Sequence, residues 1–381
     1  MVKYLVENCG ADVNKENKDG KTALYIAAKY GKQDMVKYLV ENCGADVNKE
    51  NKDGVLPLFH ALVSGKQEMV KYLVENCGAD VNKENNEVGN EALYYAMRHG
   101  KLNAVKYLVE NCGLDVNKEN ENGETALFIP VRYGNQNIVK YLVENGGADV
   151  NKGDKNGQTV LFHAARIGNE DLVKCLVKNC GADVNKEMND GDTALLVAVR
   201  SGRKNIVKYL VENCGADVNK EKNDGATALL TGAGSGRKNI VKYLVENCGA
   251  DVNKEKKDGE TALLAAVKSG KQDMVKYLVE NCGVDVNEEN ENGQTALSNA
   301  VRYGDQNMVK YLLQNCGADV NKENENGETA LFNAVRYGDQ NMFKYLVENC
   351  GADVNKEDKN GKTALSIVSG CGEQDMVKYL V

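Results

Sequence analysis

The chain has 381 residues, of which 27% are charged and 42% apolar, and a net charge of −8. This balance is typical of a globular protein rather than a disordered one, and the acidic sign argues against nucleic-acid binding. No apolar run approaches the roughly 18 residues of a membrane-spanning helix, and the first ten residues do not resemble a secretory signal.

The same features predict where the protein works. No N-x-S/T sequon occurs in the sequence, and its first residues lack the basic and apolar regions of a secretory signal. Both observations favour a reducing, intracellular and cytoplasmic setting, with no membrane insertion.

A glycine that recurs every 34 residues organises the chain, with one interval of 35 between Gly54 and Gly89. Its predecessor is Asp or Asn in ten of eleven cases, and such pairs favour tight turns with positive φ. The eleven glycines are Gly20, Gly54, Gly89, Gly123, Gly157, Gly191, Gly225, Gly259, Gly293, Gly327 and Gly361. Positions below are counted from this glycine.

A short amphipathic helix is predicted next in each repeat. Thr stands at +2 in nine repeats, as in Thr22 and Thr329, and predicts an N-cap. Small and apolar residues at +3, +4, +7 and +8 fall on one helical stripe, and Gly at +11 ends the helix.

A second helix is predicted from the Asp or Asn at +14, which occurs in ten of eleven repeats. Apolar residues at +15, +16, +19 and +20 form its buried stripe, and Gly at +24 closes it in the left-handed conformation. Such a helix pair cannot bury its own apolar faces, so it must stack on its neighbours.

These residues resemble the ankyrin repeat, whose signatures match "TALYIAAKYG" at 22–31 and "GADVNKENKDG" at 44–54. The resemblance covers the whole chain and implies an all-α solenoid of helix-turn-helix units with hairpin fingers. The sequence departs from the family in two ways. Ala replaces Pro at the helix start in nine of eleven repeats, and only Pro57 keeps the proline. Each unit also exceeds the usual length of about 33 residues by one.

We predict a single array over residues 1–381, with a partial repeat at 1–19, ten full repeats at 20–360 and a truncated repeat at 361–381. Both ends fall inside a second helix, without a polar capping repeat. The chain is therefore expected to be a fragment of a longer array, or to associate head to tail through its ends.

Four repeats are expected to be weakened. Leu56 and Glu91 replace the Thr cap, at about 1 kcal/mol each. Pro130 lies inside a first helix, at about 3 kcal/mol, and Gly232 and Gly234 share another, at roughly 1 kcal/mol each. The alternative is tolerated drift after duplication.

The sequence predicts no enzyme, metal or cofactor. His60, His99 and His163 lie in different repeats without recurring nucleophilic or acidic partners. No C-x-x-C, H-E-x-x-H or P-loop occurs. The recurring cysteines, at +23, fall on the buried stripe of the second helix and predict packing residues. Cys175 and Cys371 lie outside that series, and Cys371 is expected to be the most reactive thiol.

Ankyrin arrays bind proteins on a concave surface made by first helices and fingers, so the resemblance places the candidate binding residues there. Position +9 is basic in eight repeats and +10 varies. The candidates are Lys29, Tyr30, Arg98, His99, Arg132, Tyr133, Arg166, Arg200, Arg203, Lys204, Arg302, Tyr303, Arg336 and Tyr337.

The basic residues at +9 in eight repeats are called the basic ladder below, and two interpretations of it stay open. It could grip an acidic or phosphorylated partner, with Arg–Tyr pairs as hot spots. It could instead be a solvated helix face, diluted by acidic finger residues such as Glu124 and Glu328. The Tyr at +18 of the second helix predicts packing against neighbouring side chains rather than an aromatic platform.

Three functions remain compatible with the sequence. The first is a non-catalytic scaffold that binds a protein partner, whose identity the sequence does not give. The second is a structural tether or spring, and the third is the recognition arm of a larger multidomain protein.

Overall fold

The computed structural model describes residues 2–85, 89–337 and 339–371. The chain divides into two compact units, Met1–Met188 and Asn189–Val381. Each unit is a stack of helix pairs joined by tight turns. The prediction of a single array over the whole length stays a prediction.

The first unit contains eleven helices and one small hairpin among its described residues. Its helices are α1 (Val2–Glu7), α2 (Ala23–Lys29), α3 (Gln33–Cys43), α4 (Pro57–Ser64), α5 (Gln67–Lys71), α6 (Glu91–Arg98), α7 (Leu102–Cys112), α8 (Phe128–Arg132), α9 (Gln136–Glu144), α10 (Val160–Ile167) and α11 (Glu170–Lys178). A π-helical turn, Tyr72–Asn76, continues α5. The antiparallel strands β1 (Glu84–Asn85) and β2 (Gly89–Asn90) form one finger, with Glu84 opposite Asn90.

The described part of the second unit also has eleven helices. They are α12 (Ala194–Arg200), α13 (Lys204–Cys214), α14 (Ala228–Gly234), α15 (Lys238–Cys248), α16 (Ala262–Lys268), α17 (Gln272–Cys282), α18 (Ala296–Arg302), α19 (Gln306–Asn315), α20 (Ala330–Arg336), α21 (Gln340–Cys350) and α22 (Ala364–Cys371). Residues 372–381, which hold the predicted last second helix, lie outside the described residues. Head-to-tail association therefore stays a prediction.

The predicted threonine caps form at most first helices. Thr22 Oγ1 accepts a hydrogen bond from the Tyr25 amide at 3.2 Å, and Thr261 Oγ1 does the same for Leu264. Thr295 and Ser298 cap each other reciprocally. Thr159 and Thr329 make no such bond, although both precede helices. The caps satisfy amides that have no partner in the first turn.

The second helices begin one residue earlier than predicted, at +13. The residue at +12 is the N-cap, and Asp305, Asp339 and Asn169 there accept from the amide three residues on. The polar residue at +14 therefore lies in the first turn, where an acidic side chain favours the positive end of the helix dipole. The predicted left-handed glycines at +24 are confirmed, with Gly44 at φ 67°.

Stacking creates the core. In the first full repeat Leu24, Ala28, Val36 and Leu39 are buried, and α2 packs on both α3 and α4. The small residues on the first helix allow this close approach, so burial comes from neighbours along the stack rather than from one repeat alone.

An asparagine clip joins successive repeats and explains why "GADVN" recurs. Asn321 Nδ2 donates to the Gly351 carbonyl at 3.2 Å, and its Oδ1 accepts from the Asp353 amide at 2.8 Å. Asn14, Asn48, Asn117, Asn151 and Asn287 make the same pair of bonds. The motif therefore satisfies loop backbone groups that a stack would otherwise leave unpaired.

The finger glycine is needed where fingers meet. Gly20 has φ 76°, and a Cβ there would lie 2.6 Å from the backbone nitrogen of Lys52. That nitrogen donates to the Asp19 carbonyl at 3.1 Å. Glycine permits both the turn and this backbone contact between neighbouring fingers.

The repeats that lack Thr use other devices. Leu56 makes no side-chain cap but is buried, and Pro57 takes the first helical position, where its missing N–H costs nothing. Glu91 begins α6, and its amide donates to the Lys83 carbonyl at 3.0 Å. Its Oε2 lies 4.0 Å from Lys83 Nζ.

The prediction that the cysteines at +23 are buried is largely wrong. Cys180 is buried, but Cys43, Cys112 and their counterparts are half-buried and Cys9 is exposed. Position +23 lies in the last helical turn, at the margin of the stack, so the side chain is covered on one side. Cys175, in place of a Tyr, is buried. The side chain of Cys371 lies outside the described residues.

Thiol labelling should follow this burial. Burial raises the pKa of Cys180 to about 12, which lowers its thiolate fraction at neutral pH, and the thiolate is the nucleophile. At pH 7.5 a maleimide should label Cys9 at least ~10-fold faster than Cys180, as read by peptide mass spectrometry. Equal rates in the folded protein would contradict the burial described here.

Within the described residues, the tyrosines at +18 from Tyr38 to Tyr345 pack between neighbouring second helices, as predicted, whereas Tyr4 in α1 is exposed. Tyr141 is buried, and its hydroxyl donates to Glu110 of the preceding repeat at 2.9 Å. Lys106 Nζ lies 5.4 Å from the Tyr141 ring. Burial raises the pKa of Tyr141 to about 12, so the phenol stays a donor at neutral pH. This stripe links repeats and is not an open aromatic platform.

Candidate functional site

The candidate surface is the ends of the first helices together with the fingers, within each unit. Its most exposed large side chains are at +10: Tyr30 is 66% exposed, Tyr133 46%, Tyr303 47% and Tyr337 49%. Each follows a basic residue that ends the helix. Exposed tyrosines next to arginines are the residue types that dominate binding energy at protein interfaces.

Half of the eight basic residues at +9 are paired with a carboxylate of their own repeat. The residue at +1 of the finger is acidic in four repeats and pairs with the cation at +9. Arg132 lies 2.8 Å from Glu124 and Lys268 lies 3.5 Å from Glu260. Arg336 is paired with Glu328, which raises the pKa of the arginine. These pairs dilute the positive field, as the sequence anticipated for Glu124 and Glu328.

The fourth pair is the most buried. Arg200 lies 2.6 Å from Asp192, whose side chain is almost fully buried, and Lys222 approaches the same carboxylate at 3.9 Å. Two cations on one enclosed carboxylate hold the finger against the helix end. Arg200 is therefore engaged in the scaffold as well as placed on the candidate surface.

Arg98 and Arg302 differ, because neither makes an ion pair with any described residue. The Arg98 guanidinium lies 5.9 Å from the rings of both Tyr94 and Tyr133. Arg302 lies 5.9 Å from Tyr303 and 5.8 Å from Tyr337 of the next repeat. Each is placed near two aromatic rings, within the range of cation–π attraction.

The other candidates are placed as follows. Lys29 Nζ lies 5.9 Å from the Tyr30 ring, and Arg166 donates to Gln158 at 2.6 Å. His99 is exposed and stacked on Tyr95 with ring centroids 6.2 Å apart. Burial and neighbouring cations lower the pKa of His99, so it adds little positive charge at neutral pH.

Arg203 and Lys204 lie at the turn into α13 rather than on the helix end. The counterpart of Arg203 in the next repeat, Arg237, donates through Nε and Nη2 to the Arg200 carbonyl at 3.2 and 3.1 Å. This position caps the end of a neighbouring first helix. The prediction that Arg203 and Lys204 belong to the binding surface gains no support from this role.

The second unit has an amide-lined recess that was not predicted from the sequence. It has a volume of about 210 Å³ and lies between the repeats of Gly259 and Gly293. Asn299, Gln294, Arg302 and Tyr303 line one side. Asn299 is only 7% exposed, and its side-chain amide makes no hydrogen bond to any described residue. One indication of this site was present in the sequence, because Asn299 lies at +6, a position that varies between repeats.

No group of three or more His, Cys, Asp or Glu side chains suited to a metal ion occurs among the described residues. Likewise, within the part of the chain that the structure describes, no helix is long and apolar enough to cross a membrane. The site is thus a set of exposed aromatic, cationic and amide side chains.

Stacked helix pairs with projecting fingers define a tandem helical-repeat protein. A family model described as ankyrin repeats (3 copies) matches residues 1–85, 77–154, 146–222, 180–256, 229–324 and 316–381. The chain therefore belongs to the ankyrin-repeat family, whose members are protein-interaction modules and typically non-catalytic. No curated protein sequence matches the chain significantly.

Proposed function

We propose that the chain is a non-catalytic scaffold that binds a protein partner through its first-helix ends and fingers. The observation that carries this proposal is the set of four exposed tyrosines at +10, each beside a cation. These tyrosines are 46–66% exposed, so the fold gains little from them. At an interface each supplies a large contact area with few rotatable bonds.

The pairing of the ladder shapes the proposal. Arg132, Arg200, Lys268 and Arg336 already face carboxylates, so a uniformly acidic partner gains little from them, because exposed paired charges contribute weakly. The proposed partner is instead held mainly by the tyrosines. Only Arg98 and Arg302, which make no ion pair with a described residue, favour acidic groups on the partner.

Substitution tests the surface. A variant with Tyr30→Ala, Tyr133→Ala, Tyr303→Ala and Tyr337→Ala should retain a cellular partner at least ~10-fold more weakly in pulldown. The control carries Asn307→Ala and Asn341→Ala, at exposed positions of the second helices in two of these four repeats, those of Tyr303 and Tyr337. It should bind as the parent does.

Unchanged melting of the tyrosine variant would show that the loss is a loss of contact, since these side chains are largely exposed. Full retention of the partner by the tyrosine variant, or equal loss in the asparagine control, would contradict the proposed surface.

A further inference from the structure

Three fingers share one local construction, and one of them differs by a single chemical group. In the repeats of Gly123 and Gly327, an Asn Nδ2 donates to the Glu at +1: Asn120 to Glu124 and Asn324 to Glu328, each at 3.4 Å. In the repeat of Gly293, Asn290 Nδ2 donates to Gln294 Oε1 at 3.3 Å. The amide of Gln294 thus stands where the other repeats have a carboxylate.

The change from Glu to Gln removes the ion-pair partner of the arginine at +9. Glu124 and Glu328 each pair with the arginine of their own repeat. Gln294 cannot supply the charge, and Arg302 makes no ion pair or hydrogen bond to any described residue. Its guanidinium instead lies within 6 Å of the Tyr303 and Tyr337 rings. The repeat keeps the cation and lacks the internal anion.

A second, independent feature lies beside it. Asn299 is 7% exposed and lines the same recess, with no side-chain hydrogen bond to a described residue. A carboxamide both donates and accepts, so it matches the N–H and C=O of a peptide group.

Resting on the proposed function, we propose that this recess binds an extended segment of the protein partner. One Asp or Glu side chain pairs with Arg302 between the tyrosines, and one peptide group pairs with Asn299. The recess, at about 210 Å³, is smaller than the roughly 300–1,000 Å³ of small-molecule sites. Its size fits one side chain of a longer chain rather than a whole ligand.

The charges of the recess set the polarity of the bound segment. Asp258 lies on the opposite wall, from the preceding repeat, and is exposed. Glu260 on that wall is engaged by Lys256 and Lys268. The acidic residue of the partner therefore sits at the Arg302 end, and its neighbour toward Asp258 is not acidic.

The test is a differential selection with a random nonapeptide library displayed on phage. The library is selected on the full chain and depleted on the Gln294→Glu variant, which copies the Glu328 arrangement and supplies Arg302 with an internal partner. Surviving peptides should share one Asp or Glu. Replacing that acidic residue of the synthetic peptide by Asn or Gln should lower its affinity for the chain about 10-fold. Asn299→Ala in the chain should lower the affinity by a similar factor.

The control for added charge is Gln158→Glu, the same substitution at the same position of the repeat in which Arg166 already has a partner. It should leave peptide affinity unchanged. The proposal would be overturned if the selected peptides share no acidic residue, or if no peptide binds the parent chain better than the Gln294→Glu variant. The tyrosine test of the scaffold is unaffected by those outcomes, so the two ideas fail separately.

Discussion

Replacing Pro130 with alanine should raise the free energy of unfolding by about 1–3 kcal/mol. Helix α8 has five residues, whereas most first helices have seven or eight. Proline lacks the N–H that would continue the helix, and the preceding turn instead uses short-range bonds from Phe128 to Thr125 and from Ile129 to Ala126. Alanine occupies the same position in eight other repeats, so the smaller side chain fits the stack.

Pro57 is the matched control, because it is the only other proline in the chain. It lies at the first position of α4, where no helical N–H is needed and the fixed φ favours the helix. Pro57→Ala should therefore lower stability by about 0.5–1 kcal/mol.

Native-state hydrogen exchange would separate the two prolines. Amide protection at Val131 and its neighbours should rise with Pro130→Ala, and protection in α4 should fall with Pro57→Ala. Shifts of the same sign at both sites would contradict this account of the irregular repeats.

Replacing Gly232 with alanine should lower the free energy of unfolding by about 1–2 kcal/mol, although alanine is the better helix former. A Cβ at Gly232 would lie 2.8 Å from Val241 Cγ2 and 3.3 Å from Val199 Cγ1. Both neighbours are stiff, β-branched side chains in the core, so the clash outweighs the gain in helix propensity.

Gly234, two residues on in α14, provides the opposite result. A Cβ there meets only Ala265 Cβ, at 3.6 Å, which is an ordinary contact. Gly234→Ala should stabilise the chain by about 0.5–1 kcal/mol. Urea midpoints of the two variants should therefore move in opposite directions.

A double substitution identifies the cause. Val241→Ala removes the methyl group that the new Cβ would strike, so Gly232→Ala should cost less in that background. An equal cost in both backgrounds would show that Val241 is not the obstacle.

The repeat unit could be predicted from the sequence because each element has a strong local signal. The Asp-Gly and Asn-Gly turns, the Thr caps and the left-handed glycines lie at the expected positions. The second helix began one residue early, because Asp305 and Asp339 cap at +12. A polar residue at +14 looks the same in sequence whether it is a cap or a first-turn residue.

Contacts between repeats could not be predicted in this way. Gly232 and Gly234 look equally unfavourable in a helix, and only the position of Val241 separates them. The cysteines at +23 share the angular position of the buried stripe, yet the end of the stack leaves most of them half-covered. Helical periodicity describes one helix and does not report how far its neighbour extends.

Some features of the candidate site could likewise be predicted from the sequence, and others could not. The exposed tyrosines could be found from the variation at +10, and acidic fingers were expected to dilute the basic ladder. The one-to-one pairing of Glu124 with Arg132, eight residues apart, needs the fold to bring finger and helix end together. For the same reason, the importance of Gln294 and Asn299 appears only when their neighbours are in place.

Site-specific photo-crosslinking tests the central claim most directly. A benzoylphenylalanine placed at Tyr303 or Tyr337, on the proposed binding surface, should capture a partner protein in the cells that express the chain. The same group placed at Asn307 or Asn341, on the second helices of those repeats, should give at least ~10-fold less adduct. Equal capture from the two sets, or capture only from the second helices, would contradict the assignment of the first-helix and finger surface as the binding face.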